Sequence, residues 1–467
     1  MYRVYFKGKV SCGILTKLVC ALSLFLLIML FADQAVMAQP KVFTLSEATE
    51  IALTKAPDVL SRLAQLEGVK SETKMAKGSL YPQLNAYANF SRLSDPVAVV
   101  PIKGFGRNPP YFSRDLFKAG INFYMPIYQG GKLRADLKKA QFKEKAETYS
   151  LNAYKEVLAA QVANTFYAVI YLKSLLKAKQ VTFKALEAQK ENAEAAYNVG
   201  KIAKLDLMEI ETQLASQHQE IVSTREAITR TRQQFALLLG LTPPYDFVLQ
   251  GSLGPEVNKH LDTLVVKPDD LKKEVILAEI IDRRSDIIAA QNQLVSAKQG
   301  VRAAKALHMP SLALVGDYGR HAGSGLEGNE EVWSFGVNLN FNIFSGGTIS
   351  AKISQAEARV LAAEQQLKQL KAQAASQILA ALSSLEEAEA RIYLAESVQH
   401  TAEEAFRIER LKYEKGAGTI SDVLKAQASW DSAKASLVKA LFDKLKAITD
   451  LRLYTGTILD DYPKITN

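Results

Sequence analysis

The second half of this chain repeats the first at a fixed interval. Asn122 returns as Asn338, and the same interval takes Ile127 to Ile343 and the pair Gly130-Gly131 to Gly346-Gly347. It also links Tyr197 to Tyr413, Gly200 to Gly416, Asp206 to Asp422 and Gly240 to Gly456. One constant interval over this stretch means two copies of one unit without an insertion. Each copy joins a pair of strand-like segments to a very long helical run, and few environments accept both in one chain.

From Gly131 to Gly200 the chain runs with no proline or glycine between the two, and the stretch from Gly347 to Gly416 does the same. A continuous helix of that length reaches ~100 Å at about 1.5 Å per residue. Leu367, Leu370, Ala374, Ile378, Leu382, Leu385, Ala388, Ile392, Ala395, Val398, Ala402 and Phe406 follow mixed three- and four-residue steps. That is coiled-coil spacing, and its many alanines let neighbouring helices approach closely. Shorter helices are expected from Asp206 to Leu239 and from Asp422 to Tyr454. An arm this long cannot bury its face within one compact domain, so it calls for neighbours from other chains.

Ahead of each long helix lies a helix that ends at a proline and a change of period. The first is expected over Leu45–Ala76, capped near Ser46 and Glu47 and broken at Pro57. Its counterpart is expected over Leu271–Ala306. After Pro82 and Pro310 the apolar residues alternate, and return segments run over Phe117–Met125 and Trp333–Phe341. In the last of these Trp333, Phe335, Val337, Leu339 and Phe341 share one face, with Ser334, Gly336, Asn338 and Asn340 on the other. Strands of about ten residues, apolar on one face and polar on the other, suit a barrel wall between lipid and water. Two soluble hairpins packed on a core would alternate in the same way. The junctions fall at Pro82, Pro126, Gly130, Gly131, Pro310, Gly346 and Gly347.

Residues 1–38 read as a secretory signal peptide. Arg3, Lys7, Lys9 and Lys17 precede an apolar run over Leu18–Phe31, and Val36-Met37-Ala38 offers a cleavage site before Gln39. An uncleaved anchor is the other reading. Both cysteines, Cys12 and Cys20, lie in that leader, so the chain beyond it has none. Disulfides, thiol catalysis and cysteine-bound metals are thereby excluded from the mature chain. The leader carries a net +3, which lowers the formal charge from +9 to 9 − 3 = +6. Lysine and arginine are interspersed with glutamate along the helices, without a basic-aromatic cluster for nucleic acid.

Candidate catalytic residues are lacking. The histidines His218, His260, His308, His321 and His400 are scattered, and none pairs with a second ligand at metal spacing. Gly323-Ser324-Gly325-Leu326-Glu327-Gly328 matches a dinucleotide fingerprint, but an alternating strand follows it where a helix is required, so it reads as a loop. No cofactor is expected. The turns between long and short helices are better candidates. They run from Tyr197 through Gly200, Lys201 and Lys204 to Asp206, and from Tyr413 through Gly416, Gly418 and Thr419 to Asp422. Each glycine suits a left-handed helix end, and each aspartate suits the next helix start. In a ring of subunits the same aspartates would set the charge of an axial opening.

Met125-Pro126-Ile127-Tyr128-Gln129-Gly130-Gly131, the two Tyr-x-x-Gly turns with Asp206 and Asp422, and the two-unit layout resemble the TolC-type outer membrane factors of Gram-negative bacteria. The resemblance covers residues 44–456. It implies a mixed α and β membrane protein: a long antiparallel coiled-coil α-barrel plus four β-strands per chain, shared in a twelve-stranded trimeric β-barrel. It also implies a cell outer membrane location extending into the periplasm. The function implied is that of a passive exit duct in tripartite efflux or type I secretion, with a periplasmic adaptor and an inner-membrane pump as partners. The units would span residues 39–250, with a hairpin at 82–125, and 271–467, with a hairpin at 310–342, joined by a linker at 251–270. The helix-tip turns would dock the adaptor. Asn342 stands where the first unit has Pro126. Gly418 and Lys425 replace gating residues of the family's best-known member, so an identical lock is not expected. A periplasmic coiled-coil adaptor or structural scaffold would share the helices but would not need the Trp333–Phe341 alternation. An exported hydrolase lacks any assembled catalytic group.

Overall fold

A computed structural model describes residues 41–102, 111–243, 245, 247–251, 253 and 274–461. The leader at 1–38 and nearly all of the 251–270 linker lie outside the described residues. The first unit opens with β1 (Lys41–Phe43) and two short helices, α1 (Leu45–Lys55) and α2 (Pro57–Gly78). The cap of α1 is Thr44, just ahead of the expected Ser46. Its hydroxyl accepts from Glu47 N at 3.3 Å while the Glu47 carboxylate accepts from Thr44 N at 3.0 Å, a reciprocal capping box. The chain breaks at Ala56 (φ −61°, ψ 133°), where Pro57 begins α2 as its first residue.

In the second unit the single helix expected over Leu271–Ala306 is instead two, α5 (Glu274–Arg283) and α6 (Ser285–Lys305). Arg284 breaks them with φ −63° and ψ 137°, nearly the dihedrals of Ala56, although no proline follows. The pattern missed this break because a buried side chain, not a proline, sets it. Leu60 and Leu63 of α2 are exposed.

Four strands form one antiparallel sheet in the order β2 (Gln83–Ala98), β3 (Phe112–Gln129), β5 (Ser311–Ala322) and β6 (Glu330–Asn340). A separate short pair joins β1 to β4 (Phe247–Leu249) in parallel. The long strands extend past their expected ends. β3 runs through Pro126 to Gln129 with an irregularity between Pro126 and Tyr128, so Pro126 lies within the strand and the junction follows it. β6 stops at Asn340, just short of Phe341, where β5 no longer pairs with it.

Register sorts the residues into two faces. Leu84, Phe90, Phe117, Ile121, Phe123, Leu312, Leu314, Phe335 and Val337 lie on one. Asn85, Tyr87, Asn122, Asp317, Ser334 and Asn338 lie on the other. At the loop end the apolar face closes with two ion pairs, Arg92–Asp115 at 3.6 Å and Arg320–Glu331 at 3.5 Å. The two hairpins are unequal. Pro310 stands further from Pro82 than Asn338 does from Asn122, so the surplus chain belongs to the first hairpin. Accordingly β2 and β3 have 16 and 18 residues, against 12 and 11 in β5 and β6.

The long helices α3 (Lys132–Asn198) and α7 (Thr348–Glu414) each have 67 residues. Each begins after a glycine pair with positive φ, Gly130 and Gly131 at 62° and 84°, Gly346 and Gly347 at 59° and 80°. Two successive left-handed residues turn the strand direction into the helix axis, a geometry glycine adopts without a Cβ penalty. α4 (Lys204–Leu238) and α8 (Ile420–Tyr454) return alongside them. Below mid-height the helices pack in the lateral order α7, α8, α3, α4. The largest core sits at mid-height, where Phe43, Leu53, Val59, Leu158, Val162, Phe166, Phe235 and Phe247 meet. A second core joins Ile287 of α6 to Ile378 and Leu382 of α7 and to Ile448 of α8. Of the expected α7 stripe, Ala374, Ile378, Leu382, Leu385 and Ala388 are buried, whereas Val398 is exposed.

Candidate functional site: the conduit wall and its tip

The two helical hairpins end together. Ala193, Ile210, Ile420 and Val423 form one buried cluster, with Ile202, Phe406 and Tyr413 packed on it. The first tip and the second are therefore one structural unit within the chain. Gly200 (φ 72°) and Gly416 (φ 74°) close the long helices in left-handed conformation. The amides that follow bond back into the last turn, Lys201 N to Ala196 O and Ala417 N to Lys412 O, both at 2.8 Å.

Both aspartates cap the return helices. Asp206 Oδ2 accepts from Ala203 N at 3.1 Å. Asp422 accepts from the Thr419 hydroxyl at 2.6 Å, and Asp422 N donates to the same hydroxyl at 3.2 Å. The Thr419 hydroxyl bond holds the Asp422 carboxyl below its usual range, with further help from the Thr419 amide and from Lys425 and Lys412. Lys425 thus faces Asp422 as a counter-charge. Gly418 does not occupy the left-handed region, and a Cβ there would sit 3.1 Å from Lys412 Cβ. The tyrosines differ: Tyr197 is exposed, whereas Tyr413 is half-buried, its hydroxyl pushed up by burial and then by the charge of Asp206. The charge of Asp206 in the first hairpin is therefore felt at Tyr413 in the second. A groove of about 470 Å³ beside them is lined by Ala188, Asn192, Ala196, Phe406, Arg410 and Tyr413.

The sheet places Trp333, Phe335, Val337 and Leu339 on its apolar face, with Trp333 73% and Val337 61% exposed. Residues so apolar and so open in a single chain need a non-aqueous neighbour. On the polar face Tyr87 lies over Gly120, its register partner, and donates to Asp317 Oδ1 at 2.9 Å. Among the described residues no helix is long and apolar enough to cross a membrane.

Sequence reasoning missed the mid-height polar junction. The Arg284 side chain is only 10% exposed. It spans Asp286 through two bonds (3.0 and 2.7 Å), Gln377 of α7 and the Tyr454 carbonyl of α8. One guanidinium therefore binds three helices. Beside it the Ser285 hydroxyl donates to Glu156 Oε1 at 2.6 Å. The available signal was Gln377, which answers to Gln161 at the repeat interval and interrupts an otherwise apolar stripe.

A sheet with one exposed apolar face, continued by helices ~100 Å long, has the form of a membrane-anchored duct wall. The comparisons agree. The model for "Outer membrane efflux protein" matches residues 48–241 and 276–457. Nodulation protein T of Rhizobium leguminosarum bv. trifolii is 23% identical over 417 residues, 88% of this chain and 85% of that one. Outer membrane protein TolC of Vibrio cholerae is 23% identical over 426 residues, 89% and 91% of the two chains. Among solved structures, a Pseudomonas aeruginosa membrane protein superimposes with a TM-score of 0.77 at 21% identity, covering 88% of this chain and 92% of its own. VceC of Vibrio cholerae gives 0.73 at 22% identity, covering 88% and 96%.

The chain belongs to the outer membrane efflux protein family. It is a TolC-like channel of the Gram-negative outer membrane and serves an efflux pump as a conduit, not as an enzyme.

Proposed function

We propose that three copies of this chain close into one duct that carries solute passively from a periplasmic adaptor and an inner-membrane pump to the outside. The observation that carries this reading is the pair of unpaired sheet edges. Among the described residues β2 and β6 each pair on one side only. In hydrocarbon every backbone N–H and C=O needs a partner, so β6 of one copy must meet β2 of the next until the barrel closes. The helices repeat the logic. α7 and α4 are the lateral edges of the lower half, and α7 leaves Leu361, Tyr393, Leu394 and Ile408 exposed along its length.

Energy enters from the pump, and the duct wall contributes shape and charge. The units at 39–250 and 271–467, linked at 251–270 behind a leader at 1–38, supply equivalent halves of each third of the wall. The tip turns at Tyr197–Asp206 and Tyr413–Asp422 form the docking surface for the adaptor and, around the axis, an aperture. The chemical identity of the cargo follows from the pump, since relatives are named for toluene, antibiotic and pyoverdine export.

The test is the mass of the detergent-solubilised protein from outer membrane fractions, with single-channel recording in bilayers. A trimer that conducts is the expected result. A monomer that is soluble without detergent would instead favour the periplasmic scaffold.

A further inference from the structure

Resting on the reading of the sheet as a membrane wall, we propose that the helices just below it form a basic collar. The collar binds anionic phospholipid headgroups of the leaflet where the strands leave the membrane.

The charge of the chain is polarised along the wall. Four helices meet the sheet, in the lateral order α2, α3, α6 and α7. Their fourteen residues nearest the sheet are 65–78, 132–145, 292–305 and 348–361, a band ~21 Å deep. That band holds 14 Lys and Arg against 5 Asp and Glu, a net 14 − 5 = +9. The mature chain as a whole carries only +6. The fourteen residues of each helix nearest the tips, 185–198, 204–217, 401–414 and 420–433, hold 6 cations against 12 acids, a net 6 − 12 = −6. The cations are gathered at the membrane end.

α3 is flanked by α2 and α6 of its own chain, so its other two faces stay open when copies join at the lateral edges. At helical spacing Arg134, Lys138 and Lys145 share one of these faces, and Lys132, Lys139 and Lys143 share the opposite one. The outward side of the wall therefore carries three cations from α3 alone. Lys132 and Lys143 are paired, with Asp136 and Glu72. Arg134, Lys138 and Lys145 are exposed and, among the described residues, form no ion pair. A groove of about 230 Å³ gathers Lys132, Lys139, Lys352 and Arg359 over Gly300 and Ala304, with no acid in its lining. At the sheet side of the band, Ile127 and Tyr128 and their repeat counterparts Ile343 and Phe344 are exposed, the latter two at 88% and 87%. Apolar and aromatic residues with cations beyond them match the boundary between hydrocarbon and headgroups. Lipid phosphates at that boundary lie within a Debye length, ~10 Å, of the first helical turns. Charge spread over four helices suits a charged surface better than one enclosed anion.

Native mass spectrometry of the detergent-solubilised full-length protein, with added phosphatidylglycerol or phosphatidylcholine, tests this. The wild type should retain phosphatidylglycerol with about tenfold preference at low ionic strength and lose that preference at high ionic strength. Arg134→Gln with Lys138→Gln and Lys145→Gln removes one α3 row; Lys132→Gln with Lys139→Gln and Lys143→Gln removes the other. Loss of the outward row should lower the preference at least about fivefold, the value of a single cation at such a surface. Lys177→Gln with Lys184→Gln and Arg225→Gln, an equal loss of charge far from the sheet, should leave it unchanged. Equal retention of both lipids by the wild type, or a preference untouched by either row variant, would overturn the collar. Displacement of the lipid by inorganic phosphate at constant ionic strength would also overturn it, by marking a site for a free anion. If the row variants fail to assemble, the wild-type salt dependence decides, and a preference that survives high ionic strength overturns the collar. The membrane reading fails separately, through a protein that stays soluble without detergent.

Discussion

Tyr87 on β2 reaches across β3 to donate a hydrogen bond to Asp317 on β5 at 2.9 Å. The reach is possible because glycines occupy the positions between them. Gly120 is the register partner of Tyr87, and Gly319 is in turn the partner of Gly120. A Cβ on Gly120 would stand 2.6 Å from the Tyr318 carbonyl oxygen, and one on Gly319 would stand 3.2 Å from the Tyr87 hydroxyl. The ring covers backbone that would otherwise be bare, and its hydroxyl ties three strands together. Tyr87→Phe should lower barrel stability by about 1 kcal/mol, the net value of one such bond. Gly120→Ala, which forces backbone apart, should cost roughly 2–3 kcal/mol. The temperature at which the oligomer dissociates in SDS would rank the two, and equal losses would mean that the glycine gap is not needed.

The two faces of β6 make a sharper prediction. Val337 and Asn338 are adjacent but point to opposite sides, as the pairings Val337↔Leu314 and Asn338↔Ala313 require. Val337→Arg places a charge against lipid and should impair assembly by about 2–4 kcal/mol. Asn338→Arg faces the lumen and should assemble normally. Outer membrane yield of each variant is the measurement, and similar yields would argue against a membrane position for this hairpin.

Arg284 should be among the most sensitive single positions in the helical wall. Its guanidinium is nearly enclosed and holds Asp286, Gln377 and the end of α8 at once. Arg284→Met leaves Asp286 without its partner and the Tyr454 carbonyl without this donor. We expect a loss of about 3 kcal/mol, at the low end for a broken buried pair because Asp286 keeps some solvent contact. Thermal loss of helical circular dichroism would report it. Ala56, the equivalent break in the first unit, carries no such load, and Ala56→Met should be felt only through packing.

These residues show where the sequence was readable. Periodicity exposed the 67-residue helices because nothing interrupts them, and glycine pairs bounded them because only glycine turns so tightly there. Alternation exposed β6 for a similar reason: from Trp333 to Leu339 one face is apolar and the other polar or small. Arg284 was opaque because a charged residue between two helices normally signals solvent. Its burial depends on Gln377 and Tyr454, distant in sequence. The expected coil stripe failed at Val398, which is exposed on this chain alone, as are Leu60 and Leu63 of α2. A pattern can say that a face is apolar, but it cannot say whether the same chain or another copy covers it. The tip lay between these cases. Its aspartates were legible as caps, while the influence of the Asp206 charge on Tyr413 required both hairpins to be folded.

The last prediction separates capping from conduction at that tip. Asp206 and Asp422 both cap helices within one chain, and in a trimer they would bring six carboxylates near one opening. Rings of carboxylates attract cations and bind multivalent ones. Lys425 and Lys412 lie close to Asp422 and weaken that field, and Gly418 offers no side chain to bridge the tips. Moderate cation selectivity is therefore expected, with block by a trivalent cation from the periplasmic side. The pH dependence has a definite sign. Because the Thr419 bond holds the Asp422 carboxyl below its usual range, that aspartate stays charged above its ordinary value of 3.8. It releases bound cations only as pH falls through the lower folded value. Block should thus persist through mild acid and fade only below the ordinary aspartate value of 3.8. Thr419→Val, which removes the hydroxyl, should move that loss to higher pH, a shift that a purely structural cap would not show in conductance. Asp206→Ala with Asp422→Ala should abolish block altogether. Block that survives the double substitution, or anion preference in the wild type, would leave both aspartates with capping as their sole role.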